Sequence, residues 1–315
     1  MIRYVLDTDI GDDIDDAFAL DYALKKNVPL LGVTTVFKNT DDRARIAKKM
    51  LDLYGKSLPV YAGLGQTLDG IPRTTEHCCQ WTDDLSCDKY APDNATSRGN
   101  DENAAVDFIV DCAKKYGKDF VVLAIGPLTN VAAAVKKAPE IMNASGGIIM
   151  MGGDYVNQYT EWNVFCDVDA AKIVFGSDMK ITAFGFEVTS RFMITEKQQE
   201  YIFGMNSDAY HSYLAELSRL WSLSKPEGWR IVLHDVLVAR YATEPFCKTA
   251  EISVHLETES PYTYGMTANL DKFDLVKSPL GKKITVAVEP DLDEINATEM
   301  EIIGYNEKQI REAKL

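Results

Sequence analysis

The sequence predicts an α/β fold, a mostly parallel central sheet with helices on both faces and an active site at the carboxyl ends of the strands. Three observations carry this. Short apolar runs alternate with longer stretches of helical period along most of the chain. Glycines, Gly55 and Gly117 among them, close helical stretches where a left-handed cap is needed. Finally, an acidic cluster follows the first apolar run directly, at the strand end where α/β sheets bind ligands.

In chain order, "RYVLD" is a strand and "DDAFALDYALKK" a helix. "VPLLGVTTVF" is a second strand, followed by the helix "TDDRARIAKKMLDLYG" and the short strand "LPVYAG". "DENAAVDFIVDCAKKYG" reads as a helix with an acidic first turn and a basic last turn, which suits the helix dipole. "DFVVLAIG" leads into the helix "PLTNVAAAVKKAP", with Pro127 near its start. "GGIIMMGG" and "DMKITAFG" are buried strands, the second preceded by the helical "VDAAKIVFG". Residues 187–232 read as mainly helical, and "EISVHLE" and "KKITVAVE" add strands after Lys248. Residues 65–100 have little periodicity and read as a long loop over the site. With no internal repeat and no clear linker, residues 1–315 are expected to form one domain.

At 315 residues and 46% hydrophobic content the chain can bury a large core. Its net charge of −15 repels phosphate backbones, which excludes nucleic-acid polymers as partners and favours a small polar metabolite or a cation. No apolar run is long enough to span a membrane. "MIRYVLDTD" enters a strand with no signal-like apolar core, and the six cysteines are scattered with no CxxC pair. A cytoplasmic protein with reduced thiols is expected.

The stretch "DTDIGDDIDD" holds Asp7, Asp9, Asp12, Asp13, Asp15 and Asp16. A solvated acidic turn is the plain reading. An EF-hand loop fails, because Gly11 stands at the fifth place. Asp7 and Asp9 suit an aspartyl phosphatase, as nucleophile and acid. A hard-cation site with further ligands from elsewhere in the chain is the last reading.

"DTDIGDDIDDA", "TTVFKN", "AIGPLTN", "MGGDY", "EWNVFCDVDAA" and "LHD" occur in this order, each near an expected strand end or helix start. Together they resemble the inosine–uridine nucleoside hydrolase family, which cleaves the N-glycosidic bond of ribonucleosides. The resemblance covers residue 5 to about 240, and "EWNVF" and the aspartates are its most specific parts. It implies a Ca2+ ion bound by Asp9, Asp16, Asp235 and the backbone carbonyl of Ile125, with water and ribose hydroxyls completing the shell. Asp7 would stand behind the ligands and Asp15 would grip the ribose. Asn39, Asn157, Glu161 and Asn163 would hold the sugar, amides being able to donate and accept at a diol. The implied chemistry passes through an oxocarbenium-like transition state, with Asp9 as general base toward a metal-bound water and His234 donating a proton to the leaving base. His77, Trp81 and Trp229 are candidates to stack on the base, although large aromatics more often pack. His211 and His255 read as structural. The resemblance also implies a homodimer or homotetramer.

Two features depart from the better-known pattern. The acidic loop is of the longer "DDI" form, which adds Asp12 and Asp13, and residues 65–100 align with nothing that fixes base preference. A non-catalytic nucleoside-binding protein on the same fold is the main rival; it would keep the ribose ligands without needing Asp9. An aspartate phosphatase would leave "EWNVF" and "LHD" unexplained.

Overall fold

In the first strand, β1 (Arg3–Thr8), neighbouring side chains enter opposite apolar layers, Leu6 on one face of the sheet and Val5 on the other. The structure, a computed structural model, describes residues 1–71, 78–96, 99–157, 159–244, 246–272 and 281–305. Helix α1 (Asp15–Lys25) follows, then β2 (Leu30–Thr35), α2 (Thr40–Tyr54) and β3 (Val60–Ala62). The chain continues with α3 (Asn103–Tyr116), β4 (Phe120–Ala124), α4 (Thr129–Lys137), β5 (Ile148–Met151), α5 (Trp162–Cys166), α6 (Val168–Gly176) and β6 (Ile181–Phe184). Helices α7 (Ala209–Ser224) and α8 (Val236–Tyr241) precede β7 (Lys248–Leu256), β8 (Thr267–Asn269), β9 (Lys282–Val288) and α9 (Leu292–Ile302).

These strands form a nine-stranded sheet in the order β8-β7-β9-β6-β5-β4-β1-β2-β3. All pairings from β9 through β3 are parallel, and β7 runs antiparallel to both β9 and β8. Successive strands step away from β1 on one side to β3, and β4 then returns to pair with β1 on the other. The strand order therefore reverses between β1 and β4, and the crevice beyond their carboxyl ends is where such sheets bind ligands. One apolar layer packs α1, α2, α7 and α8 on the sheet, and the other packs α3, α4 and α6.

Some expectations shift in detail. Helix α3 starts only at Asn103, and Asp101 stands before it, accepting the Asn103 N–H at 3.2 Å. Its expected acidic first turn is thus a flanking acceptor. Pro127 stands two residues ahead of α4. Residues 65–100 carry short 3-10 turns at Asp83–Ser86 and Asp88–Tyr90 and a small hairpin, and they bury Leu85 against the core. Among the described residues no helix is long and apolar enough to cross a membrane.

Candidate active site

The acidic loop leaves β1 at Thr8 and enters α1 at Asp15. Thr8 links the two ends: its hydroxyl donates to the Asp16 carboxylate and accepts the Ile10 N–H at 3.1 Å. Asp235, directly ahead of α8, donates its N–H to Asp15 at 3.3 Å. Side-by-side packing of α1 and α8 thus brings Asp15, Asp16 and Asp235 together. Each is buried, and each offers a carboxylate oxygen within 4.8 Å of the others.

Asp9 lines the same cavity, its Oδ1 close to Gly126; a Cβ there would lie 2.8 Å away, so no other residue fits behind the Ile125 carbonyl without a shift. Burial raises Asp9 to about 7 and holds Asp15, Asp16 and Asp235 well above the usual carboxylate range, with mutual repulsion adding to it. Asp7 sits behind them, raised to about 7 by burial although Thr34 (2.6 Å) and Asn130 (2.8 Å) donate to its Oδ1.

Four buried carboxylates lining one cavity, three of them within 4.8 Å of one another, suit a hard divalent cation. Arg43, the fully buried cation nearby, is committed elsewhere: it donates to the carbonyls of Phe37 (2.8 Å), Asp9 and Ile10 (3.0 Å) and to Asp12 (2.7 Å). The donor set therefore fits a metal ion by its chemistry.

On the opposite wall, Glu161 caps α5 and accepts the N–H groups of Gly153 (3.1 Å), Asn163 (2.8 Å) and Val164 (3.1 Å). Burial lifts its pKa to about 7 against those three donors. Asn163 donates to the carbonyls of Ile125 (3.0 Å) and Met151 (3.2 Å), tying the ends of β4 and β5 together. His234 bonds Thr189 through Nδ1 at 2.8 Å and stacks on Phe186 with ring centres 5.9 Å apart. Burial lowers its pKa to about 4, so the imidazole is neutral at neutral pH.

Asp9, Asp15, Asp16, Ile125, Glu161, Asn163, His234 and Asp235 therefore line one cavity of about 260 Å3. A neighbouring cavity of about 540 Å3 shares Asp13, Phe186 and His234 with it and is walled by Trp221, Met193 and Trp229, the last 55% exposed. Two expected sugar ligands lie outside both. Asn39 is exposed and donates to Asp42 at 3.3 Å, because Phe37 and Lys38 adopt φ of 70° and 57° and turn the chain outward before α2. Asn157 is exposed and bonds Asp154 through its N–H (2.7 Å) and its amide (3.1 Å). Trp81 packs, half-buried, against the core, and His77 lies outside the described residues. Phe186, Tyr159, Trp162 and Lys225 line the site without having been expected there. Of these only Trp162 had a signal, its place within "EWN".

Comparison with known proteins shows the chain's family. Residues 4–297 match the family model described as inosine-uridine preferring nucleoside hydrolase. The chain is 30% identical over 249 residues to uridine nucleosidase 1 of Arabidopsis thaliana, covering 74% of this chain and 71% of that protein. It is 26% identical to a pyrimidine-specific ribonucleoside hydrolase of Escherichia coli, covering 92% and 93%. A solved plant nucleoside hydrolase superposes with a TM-score of 0.79 at 25% identity, covering 97% and 99%. A purine-preferring ribonucleoside hydrolase from Gardnerella vaginalis gives 0.73 at 30% identity, covering 96% and 98%.

Proposed function

The chain belongs to the inosine-uridine preferring nucleoside hydrolase family, and from that membership we propose that it is a calcium-dependent enzyme cleaving ribonucleosides to ribose and a free base. The observation that carries this is the convergence of Asp9, Asp15, Asp16 and Asp235 in one cavity, which Ile125 also lines, at the switch point of the sheet. Asp9, Asp16, Asp235 and the Ile125 carbonyl would hold the ion. When bound, it offsets the carboxylate repulsion, gathers the ribose diol and makes nearby water more acidic.

The chain's own groups supply the rest. Asp9, at the cavity wall beside the ion it would help hold, accepts the proton of the attacking water. Asp15, anchored by the Asp235 N–H, accepts a ribose hydroxyl. Asn163 and Glu161 are both held by the backbone and present a fixed polar wall to the sugar. As the C–N bond breaks, positive charge grows on the ribose and the surrounding carboxylates stabilise it. On the base side the neutral His234 donates an N–H to the departing ring, with Phe186 beneath it.

Relatives are named for uridine, for pyrimidines and for purines, so base choice varies within the family. The assembly we expect is a homodimer or homotetramer, read by sedimentation. A panel of nucleosides incubated with purified protein, scored for free ribose with and without chelator, tests the reading. Chelator-sensitive ribose release is the expected result. Nucleoside binding without ribose release by the metal-loaded protein would point to the non-catalytic alternative.

A further inference from the structure

Among the described residues lining the acidic cavity, Lys225 is the one lysine or arginine. Its placement follows from the local sequence "LSKPEG". Pro226 cannot continue α7 and disfavours helical geometry in the residue before it. Lys225 is accordingly extended, with φ −108° and ψ 156°, and its side chain leaves the line of the helix. Asp13 faces it: Asp13 Oδ1 accepts the Ile14 N–H at 2.8 Å, and Oδ2 lies 3.8 Å from Lys225 Nζ. The Trp221 ring centre lies 6.0 Å from the same ammonium. An ion pair at this separation holds the ammonium in place and leaves its protons free for another acceptor.

Depth decides what that acceptor is. Asp15, Asp16 and Asp235 are buried on the cavity floor, whereas the Lys225 and Asp13 side chains are 30% and 47% exposed at its rim. This step rests on the ribonucleoside hydrolase reading, in which the sugar occupies the floor. A base attached to that sugar then points outward, and its edge farthest from the ribose comes to the rim. Uracil and hypoxanthine carry a carbonyl oxygen on that edge. Cytosine and adenine carry an amino group there, which donates and cannot accept from an ammonium.

We propose that Lys225, held by Asp13, contacts the leaving base and donates a charge-assisted hydrogen bond to a carbonyl oxygen on its outer edge. When the C1′–N bond breaks, its electron pair stays with the base and water adds to C1′. The negative charge spreads from the ring nitrogen toward the carbonyl oxygens, where the ammonium stabilises it without giving up its proton. The same contact strengthens as charge develops, so it acts on kcat/KM for oxo-bases.

The test compares wild type, Lys225→Met and Lys225→Arg on uridine, cytidine, inosine, adenosine and p-nitrophenyl riboside. Wild type is expected to favour uridine over cytidine and inosine over adenosine. Lys225→Met should lose about 10–100-fold on the two oxo-bases, the range for a hydrogen bond to a charged group, and narrow both ratios. Its loss on p-nitrophenyl riboside should be smaller, because nitrophenolate leaves without help. Lys225→Arg, still cationic, should keep the preference while its activity falls less. An active wild type whose uridine-to-cytidine ratio is unchanged in Lys225→Met overturns the role of Lys225 alone. A wild type that releases ribose from no nucleoside, metal-loaded, overturns the underlying reading and this assignment with it.

Discussion

Nη2 of Arg43 lies 2.7 Å from Oδ2 of Asp12, and the guanidinium making this pair has no exposed surface. The same group donates to the carbonyls of Phe37, Asp9 and Ile10, so one side chain from α2 pins the start of the acidic loop from beneath. The loop is clamped from above by Cys79 and Gln80, whose N–H groups meet the Gly11 carbonyl at 2.9 and 3.2 Å, while the Gln80 amide donates to the Asp13 carbonyl at 2.8 Å. The two carboxylates that the longer "DDI" loop adds each have a cation, Asp12 with Arg43 and Asp13 with Lys225.

Arg43→Met should therefore cost about 3–5 kcal/mol of stability, because it leaves Asp12 and three buried carbonyls without their donor. Asp12→Asn should cost less, since Asp12 is partly exposed and its amide oxygen still accepts from Arg43. Urea denaturation of both variants checks this. An Arg43→Met protein within about 1 kcal/mol of wild type would show that the loop holds itself.

Much of this site is legible in the sequence for a physical reason. Asp9, Asp15 and Asp16 are like charges following an apolar strand, and such a cluster calls for a counter-charge wherever it is buried. Asp235 and Asn163 were reachable through short motifs at element starts. Arg43 was not, because an arginine in "TDDRARIAKK" looks the same whether its helix face is solvated or covered. Its burial depends on residues 9–12 and 78–80 closing over it. Lys225 was hidden likewise, since only the tertiary meeting of α7 with the acidic loop makes it part of a cavity. The antiparallel β7 is a third case: "EISVHLE" looks the same in either direction, and pairing is set by the chain path outside it.

The acidic cluster also predicts a pH dependence of stability for the metal-free protein. Burial raises Asp7 and Asp9 to about 7 and holds Asp15, Asp16 and Asp235 well above the roughly 3.9 of an unfolded aspartate. Between about pH 4 and 7 the folded state then binds more protons than the unfolded one. Stability from these groups is complete below about pH 4 and is lost as pH rises through about 7. Chelator-treated protein should show a falling Tm from pH 5 to 8, and added calcium should restore most of the loss at pH 8, since a ligand bound only by the native state stabilises it. A Tm that is flat or rising over this range would argue that the carboxylates are already ionised and stable together.

Ribose recognition predicts discrimination against 2′-deoxynucleosides. On the proposed reading, removing the 2′-hydroxyl would take a partner from the ion and from Asp15, which is buried away from water. A site built to bind a hydroxyl can reject its absence by about 10⁴-fold. Steady-state kcat/KM for inosine against 2′-deoxyinosine measures this, and equal values would remove Asp15 from the sugar site.

His234 closes the set, because its environment fixes how it can help a base to leave. Its Nδ1 is engaged by the Thr189 hydroxyl at 2.8 Å, so the ring turns its other nitrogen to the cavity it lines. Burial holds its pKa down at about 4, and the cation is scarcely populated at pH 7. A strong acid is thus unavailable there, while a neutral N–H donor is available at every pH above about 5. His234→Ala should lower kcat/KM for natural nucleosides by about 10–100-fold, the range for a hydrogen bond to a leaving base that gains negative charge. The loss on p-nitrophenyl riboside should be far smaller, since that leaving group is stable as an anion. Thr189→Val frees Nδ1, and the wrong tautomer then competes, so it should reproduce part of the same loss. The pH profile separates a neutral donor from an imidazolium acid. With the imidazolium as the acid, the wild-type rate would drop tenfold per pH unit above about 4. With the neutral ring, the His234-dependent part of the rate stays level from pH 6 to 8. Equal losses on both substrates in His234→Ala would make the residue structural, and no loss on either would pass the role to Lys225 across the rim.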